Sequence, residues 1–219
     1  MATQKRARTR TFHEAGQTLT LHDRGTHHEL MIGHVPILTS AVLGTERDFG
    51  RLAGKLSVSD APRVLVGGLG FGSTLRGVLE SAGAAARVIV VEKLATLVRL
   101  MRGELAHLAE GVLEDPRVTV LRDDVAAVIG RERDLDVILL DVDNGPEWAS
   151  FDTNARLYDE EGLRAARRAL RPGGSYAVWS GYPADAFLSQ LRAAGFQPLA
   201  VELREKGRVQ ARAYVGTRP

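Results

Sequence analysis

The sequence predicts an α/β fold in which a mostly parallel sheet is covered by helices on both faces. After Pro62, short apolar runs rich in valine, isoleucine and leucine alternate with segments of helical length. Such runs are typical of strands buried on both faces, and their alternation with helices is typical of right-handed parallel units. The chain has 219 residues, which is enough for one sizeable domain and a smaller extension.

Composition excludes several classes of function. The chain contains no cysteine, which excludes disulfides and thiolate chemistry. It has no apolar run near the ~20 residues that span a bilayer and no apolar leader, so we expect a cytoplasmic protein without a membrane partner. Five of the six histidines fall within the first 34 residues, in no zinc-like spacing, and we therefore expect no metal site.

The region before Pro62 is predicted to be a small extension of the main domain. Residues 1–10 are expected to form a basic, flexible tail, because lysine and arginine occur there without acidic residues. Residues 11–60 are expected to form β-hairpins and a helix, and residues 61–219 the main domain. The strands of the extension are expected at Thr18 to His22, His28 to Ile32 and Val35 to Leu38, and its helix at Thr45 to Leu56.

The main domain is predicted to contain five parallel units followed by a hairpin. Each unit has an apolar strand and a helix that returns the chain to the same edge of the sheet. A turn at Lys206-Gly207-Arg208 separates two further strands, which are expected to pair antiparallel. The five strands are expected at Val64 to Gly67, Arg87 to Val91, Val118 to Leu121, Asp136 to Leu140 and Ser175 to Trp179, the helices from near Ser73, Leu94, Val125, Asn154 and Ala184, and the hairpin strands at Pro198 to Leu203 and Val209 to Val215.

A glycine-rich turn after the first of these strands is the strongest functional signal. The strand runs into Gly67-Gly68-Leu69-Gly70-Phe71-Gly72, and a helix follows. Glycines let a ligand approach the backbone closely, and a helix N-terminus offers free N–H groups. Ser73 stands where the dinucleotide fingerprint has its third glycine, and the lysine of a phosphate-binding P-loop is absent. The turn therefore predicts a site for a nucleoside without a polyphosphate, the alternative being a tight turn that holds no ligand.

Carboxylates follow the next two strands at the same edge of the sheet. Glu92 ends the second strand about twenty residues after the glycines, where an acid can accept hydrogen bonds from both ribose hydroxyls. Asp123 and Asp124 follow the third strand, where a carboxylate or the neighbouring backbone can meet an adenine edge. The alternative is that one of the two aspartates caps the next helix.

The segment after the fourth strand is strongly acidic. Six acids and no lysine or arginine occur between Asp134 and Ala155. Parallel sheets bind ligands at the carboxyl ends of their strands, and an acidic mouth there favours a cationic substrate. Asp141 or Asp143 is therefore predicted to contact the substrate, the alternative being a solvated acidic loop. The six acids are Asp134, Asp136, Asp141, Asp143, Glu147 and Asp152.

Several motifs follow one another in a characteristic order. They are the glycine turn, a glutamate that ends strand two, R-D-D-V, L-L-D-V-D-N-G-P, N-A-R-L-Y and R-A-L-R-P-G-G. With these motifs the chain from Val35 to Phe196 resembles the bacterial spermidine synthase-like proteins, which belong to the class I S-adenosylmethionine (AdoMet)-dependent methyltransferase superfamily. The resemblance implies a Rossmann-like fold with a mostly parallel seven-stranded sheet, helices on both faces and a C-terminal antiparallel hairpin.

The resemblance also implies which residues bind the cofactor, AdoMet or its decarboxylated form. The glycines of the turn, Gly68, Gly70 and Gly72 with Gly67 before them, would line the methionine part. Glu92 would bind the ribose. The adenine would be held by Asp124 and Val125, with Asp123 beside them.

The same resemblance implies catalytic residues. Asp141 would face the transferred group, because it stands where polyamine synthases carry the first aspartate of D-S/T-S/T-D-P, which steers and deprotonates the attacking amine. Asp143, in the same loop, and Tyr158, which would help to close the site, complete the predicted catalytic set.

Two departures from the family pattern decide the predicted reaction. In polyamine synthases the turn reads G-G-G-D-G-G and its aspartate pairs with the ammonium of decarboxylated AdoMet, whereas this chain has Gly70 at that position. An ammonium buried without a partner is costly. The loop from Asp141 to Pro146 also differs from D-S/T-S/T-D-P. We therefore predict methyl transfer from AdoMet to a small, cationic amine, with Asp141 taking a proton; the alternative is aminopropyl transfer from decarboxylated AdoMet to putrescine or a related amine.

Two further alternatives come from other classes of protein. One is an RNA-binding or RNA-modifying protein that uses the basic tail, although the low aromatic content and the lack of an N-P-P-Y-type loop argue against a nucleic-acid partner. The other is a protein that binds AdoMet without turnover. From the resemblance we also expect a homodimer.

Overall fold

The computed structural model, which describes residues 8–142, 145–147 and 152–219, contains two sheets. The larger sheet has seven strands, and the smaller sheet has four antiparallel strands. Five neighbouring strands of the larger sheet are parallel, and two antiparallel strands complete one edge. The predicted α/β fold with a mostly parallel seven-stranded sheet is confirmed.

The smaller sheet is formed by the N-terminal part of the chain. Its four strands pair in sequence order, β1 with β2, β2 with β3 and β3 with β4, across short turns. The strands are β1 (Arg8–Glu14), β2 (Gln17–Asp23), β3 (His28–Ile32) and β4 (Val35–Thr39).

The first strand corrects the predicted flexible tail. Arg8 and Arg10, assigned to that tail, lie in β1 and pair with β2. The turn between the two strands, Ala15 and Gly16, has left-handed φ angles of 51° and 76°. The strand was not predicted because its arginines and threonines provide no alternating apolar positions, so its pairing depends on β2 rather than on its own pattern.

The larger sheet and its helices follow the predicted alternation. The strand order is β10-β11-β9-β8-β5-β6-β7. Its strands are β5 (Arg63–Gly67), β6 (Arg87–Glu92), β7 (Val118–Arg122), β8 (Leu135–Leu140), β9 (Leu170–Ser180), β10 (Gln197–Glu205) and β11 (Arg208–Thr217). The helices are α1 (Gly44–Leu56), α2 (Ser73–Ser81), α3 (Ala95–Arg102), α4 (Ala106–Ala109), α5 (Val125–Arg131), α6 (Glu160–Ala169) and α7 (Ala186–Ala193).

One helix begins later than predicted. The helix expected from Asn154 is a short 3₁₀ helix, Asp152–Leu157, followed by α6 from Glu160. The separation has a local cause, because Asp159 caps α6 and its carboxylate accepts the N–H of Gly162 at 2.8 Å.

The core lies on both faces of the larger sheet. Successive residues of β5 divide between two apolar clusters: Val64 and Val66 pack in one cluster and Leu65 in the other. The first cluster includes residues of α1, α2 and α3, and the second includes residues of α5, α6 and α7. This arrangement explains why the strands are continuous apolar runs. Among the residues that the structure describes, no helix combines the length and apolar character needed to cross a membrane.

The order of the parallel strands positions the site. The chain passes from β5 to β6 and β7 on one side and then returns to β8 and β9 on the other. The direction of winding therefore reverses between β5 and β8, which is where open α/β sheets bind their ligands. In the observed register, Gly67 lies beside both Val91 and Leu140. The segments that follow β5, β6 and β8 therefore meet at one edge.

Candidate functional site

The glycine turn after β5 is held tightly between its two neighbouring strands. Gly68 has a left-handed φ of 91°, and its N–H donates to the carbonyl oxygen of Val91 at 2.9 Å. A Cβ at Gly68 would lie 2.3 Å from the carbonyl oxygen of Asp141, so a larger residue does not fit. Gly67 is similarly enclosed, since a Cβ there would lie 2.7 Å from a methyl carbon of Leu140. The turn therefore brings the backbone close to the ends of β6 and β8.

A cavity of about 510 Å³ is lined by this turn, by the ends of β6 and β8 and by β4 of the smaller sheet. This volume lies in the range of sites for small organic ligands. Gly68 and Gly70 are part of the lining, whereas Gly67 and Gly72 are not. Four carboxylates and one lysine are also part of it, a balance that favours a cationic ligand. These charged residues are Glu46, Glu92, Lys93, Asp124 and Asp141.

Glu92 lies at the end of β6 and is 8% exposed. One carboxylate oxygen accepts the N–H of Leu69 at 3.0 Å and the other accepts the N–H of Leu94 at 2.8 Å. Burial raises the pKa of Glu92, although the backbone hydrogen bonds oppose that shift. A carboxylate offers about four lone-pair sites. The backbone N–H groups of Leu69, Leu94 and Lys93 use part of this capacity, and Glu92 can still accept a hydrogen bond from a ligand hydroxyl while it holds the glycine turn.

The two aspartates after β7 have different surroundings. Asp124 caps α5, where its Oδ1 accepts the N–H of Ala126 at 2.9 Å, and its Oδ2 pairs with Arg156 at 2.6 Å. The predicted alternative of a helix cap is thus confirmed for Asp124, which also lines the cavity. Asp123 pairs with Arg131 at 2.6 Å and is not part of the cavity lining. Val125, the first residue of α5, is part of the lining.

Asp141 follows β8 and lines the cavity beside the glycine turn. Its N–H donates to the carbonyl oxygen of Gly67 at 2.9 Å, which fixes its backbone. The hydroxyl of Thr74 donates to its Oδ2 at 2.5 Å. Thr74 is buried on α2 at 2% exposure, so the hydrogen bond holds the carboxylate in one orientation. A carboxylate held in this way can take a proton from a bound amine.

Helix α1 contributes a carboxylate to the cavity that the sequence pattern did not indicate. A Cβ at Gly50 would lie 2.0 Å from the carbonyl oxygen of Thr74, so the backbones of α1 and α2 are in direct contact. At the start of the two helices, the hydroxyl of Ser73 donates to the carbonyl oxygen of Leu43 at 2.7 Å. These contacts fix the first turn of α1, where Glu46 lies, at the wall of the cavity.

Tyr158, a predicted catalytic residue, is not part of this lining. Asp143 lies outside the described residues. Tyr158 is buried at 5% exposure and packs edge-to-face against Phe187, with ring centroids 6.1 Å apart. Asp136 lies near the opposite end of β8, where its carboxylate accepts the N–H of Arg63 at 2.9 Å. Among the acids of this segment whose side chains the structure describes, Asp141 is the one that lines the cavity.

The chain is similar in sequence to curated polyamine aminopropyltransferases. It is 38% identical over 125 residues to polyamine aminopropyltransferase 2 of Pseudomonas aeruginosa, a match that covers 54% of this chain and 34% of the relative. It is 30% identical over 164 residues to polyamine aminopropyltransferase 1 of the same species, covering 74% of this chain and 48% of the relative. The matched region thus spans about a third to a half of these relatives. No family model matches the chain.

The fold is similar to that of solved spermidine synthases. The structure of spermidine synthase from Thermotoga maritima superposes with a TM-score of 0.75 at 16% identity, covering 97% of this chain and 73% of that one. The structure of a probable spermidine synthase from Corynebacterium glutamicum has a TM-score of 0.63 at 19% identity, covering 95% of this chain and 79% of that one. At such identities the similarity establishes the shared fold.

The comparisons contradict the predicted methyl transfer and favour aminopropyl transfer, the stated alternative. The similar curated proteins carry the name of aminopropyltransferases. The methyl-transfer prediction depended on Gly70, which removes one carboxylate from the turn. The cavity nevertheless contains four other carboxylates, so the absence of that one does not exclude an ammonium ligand. The chain is thus similar in sequence to polyamine aminopropyltransferases over part of their length, and it shares the fold of spermidine synthases.

Proposed function

We propose that the protein transfers an aminopropyl group from decarboxylated AdoMet to a small primary amine. The observation that carries this proposal is Asp141, a carboxylate fixed by Thr74 beside the glycine turn in a chain related to aminopropyltransferases. Both proposed substrates are cations at neutral pH. Their charge suits a cavity with four carboxylates and one lysine in its lining.

The cavity suits the nucleoside donor of this reaction. Its volume of about 510 Å³ is sufficient for a ligand of that size, and Gly68 lets the ligand approach the backbone. Glu92 accepts a hydrogen bond from the ribose through the lone-pair capacity that the N–H groups of Leu69, Leu94 and Lys93 leave unused. Asp124 and Val125 form the adenine end of the site. The donor supplies a carbon that is activated by the adjoining sulfonium.

Asp141 orients the acceptor amine and takes its proton. The nitrogen lone pair forms a bond to the activated carbon while the carbon–sulfur bond breaks, and that electron pair stays on sulfur, which becomes a neutral thioether. Because the acceptor binds as an ammonium, it first gives a proton to the carboxylate of Asp141, which frees the lone pair, and the product nitrogen carries the positive charge that the sulfonium loses. Positioning of this kind, together with proton transfer to a fixed base, provides most of the rate enhancement in such displacements.

Asp141→Asn tests the proposed role. We expect kcat with a diamine acceptor to fall by roughly 10²–10⁴-fold, the usual contribution of a general base, while the fold and donor affinity are retained. The assay detects the aminopropylated amine and the thioether nucleoside by mass spectrometry. Asp60→Asn is the matched control, because Asp60 is an exposed acid before β5 that does not line the cavity. Unchanged turnover in a folded Asp141→Asn variant, or a methylated product, would overturn the proposal.

A further inference from the structure

Glu46 is a carboxylate of the cavity that has no role in the steps above. The other three carboxylates of the lining, Glu92, Asp124 and Asp141, are held by backbone N–H groups or neighbouring side chains. Glu46 accepts hydrogen bonds only from its immediate surroundings, namely the hydroxyl of adjacent Thr45 at 2.9 Å and its own backbone N–H, among the described residues. Among the described residues, no lysine or arginine forms an ion pair with it. A cationic ligand is the partner that its charge lacks.

The surroundings of Glu46 favour such a ligand. Burial raises the pKa of Glu46 and the negative charge of nearby Glu205 adds to the rise, although the hydrogen bonds from its own N–H and from Thr45 oppose it. Both effects make the ionised carboxylate less stable in the empty cavity. A cation that enters the cavity offsets both, since it neutralises the charge and replaces lost solvation.

The backbone of Glu46 lies close to the carboxylate of Asp141. The hydroxyl of Thr74 lies 3.2 Å from the carbonyl oxygen of Glu46 and 2.5 Å from Oδ2 of Asp141. The two acidic residues are therefore neighbours on either side of one threonine. In an aminopropyl group the ammonium lies two carbons beyond the reacting carbon. The ammonium is therefore expected to bind close to Asp141, but not to Asp141 itself.

The glycine turn provides no carboxylate for this purpose, although it has room for one. A Cβ at Gly70 would meet a methyl carbon of Leu38 at 3.6 Å, an ordinary van der Waals contact. Its φ of 50° is left-handed, a conformation that aspartate adopts more readily than most residues. In this chain the acid that faces the same cavity comes from α1 instead.

We infer that Glu46 binds the primary ammonium group of the aminopropyl donor or of the amine acceptor. This inference rests on the proposed aminopropyl transfer, and it assigns a specificity residue for that reaction to α1, outside the glycine turn and the strand ends. Glu46 selects ligands that carry a primary ammonium over nucleosides that lack one.

Calorimetric titration of Glu46→Gln tests the inference and separates the two sources of the ammonium. If Glu46 binds the ammonium of the donor, the substitution raises the Kd for decarboxylated AdoMet at least ~10-fold, which corresponds to the loss of one charged hydrogen bond. The Kd for the thioether nucleoside, which has no ammonium, is then unchanged. If Glu46 instead binds the ammonium of the acceptor, both Kd values stay constant and the KM for the diamine rises by a similar factor. Asp60→Asn is the control, because Asp60 is exposed and does not line the cavity.

The outcomes distinguish this inference from the proposed function. Suppose that the wild-type protein binds decarboxylated AdoMet and that the folded Glu46→Gln variant has unchanged Kd and KM. The role of Glu46 is then overturned, while the proposed aminopropyl transfer is not. A wild-type protein that does not bind decarboxylated AdoMet overturns both. Gly70→Asp in the Glu46→Gln background provides a second readout. If the double variant regains affinity for decarboxylated AdoMet, the Glu46→Gln variant had lost an ammonium contact, as inferred. If the double variant still binds weakly while Gly70→Asp alone binds normally, Glu46→Gln has damaged the structure and the inference is overturned.

Discussion

The contact between α1 and α2 joins the N-terminal helix to the site, and Gly50→Ala perturbs it directly. The added methyl carbon would lie 2.0 Å from the carbonyl oxygen of Thr74 and 3.0 Å from Cα of Gly77, both of them backbone atoms. The helices would therefore have to separate by roughly 1 Å or more to restore normal contact. Overpacking of this kind costs about 1–3 kcal/mol, and the better helix propensity of alanine returns up to ~1 kcal/mol. We expect a net loss of about 1–2 kcal/mol.

Urea unfolding followed by circular dichroism measures this loss. Gly130→Ala in α5 is the control, because no atom lies within 4 Å of a Cβ added there, and we expect it to stabilise the protein by about 0.5–1 kcal/mol. The m-value should be the same in both variants and in the wild type, since the fold is retained. Equal stabilisation by the two substitutions would refute the reasoning, because it would mean that α1 and α2 are not in backbone contact.

Two further predictions concern carboxylates that tie elements together. Glu14 accepts hydrogen bonds from the N–H groups of Ala95 and Thr96 at the start of α3, at 2.7 and 2.8 Å. Burial raises the pKa of Glu14, but these hydrogen bonds outweigh it and hold the pKa below its ordinary 4.5. Glu14→Gln should therefore cost about 1 kcal/mol in urea unfolding above pH 4.5 and less as pH falls through the lower value; an undiminished difference in acid would contradict this. The pKa of Glu80 is lowered to about 2, first by Arg47 and then by two further arginines of α1 and α2, so its ion pairs should stabilise the protein above pH 4.5 and be lost as pH falls towards 2. Because solvent screens these side chains, we expect Glu80→Gln to cost only ~1 kcal/mol in thermal unfolding and less in 1 M salt, and a salt-independent difference would count against the network.

The parts of the fold that the sequence predicted are those fixed by local patterns. β5, β6 and β8 are continuous apolar runs because both faces of the sheet are covered, and the glycine turn follows directly from one of them. The carboxyl ends of parallel strands meet at one edge, so Asp141 could be placed beside the glycines before any coordinates were known. The order of the strands is therefore sufficient to place the backbone of Asp141 at the cavity.

The parts that escaped prediction depend on contacts between distant segments. Glu46 precedes a run of charged and apolar residues that indicates an ordinary amphipathic helix, and only the crossing of α1 with α2 brings it to the cavity. The available signal was Gly50 with Gly54, two glycines one turn apart in a helix, at which a Cβ would strike the backbone of α2 in both cases. Tyr158 was assigned from the family resemblance, yet its ring fills the core beside Phe187.

The choice of donor distinguishes aminopropyl transfer from methyl transfer, and steady-state turnover of the wild-type protein with a diamine measures it. Parallel reactions contain AdoMet or decarboxylated AdoMet, and the amine products are identified by mass spectrometry. Aminopropyl transfer predicts an aminopropylated amine and the thioether nucleoside from decarboxylated AdoMet, and no methylated amine from AdoMet. A methylated amine formed from AdoMet, with no aminopropyl product from the decarboxylated donor, would contradict it.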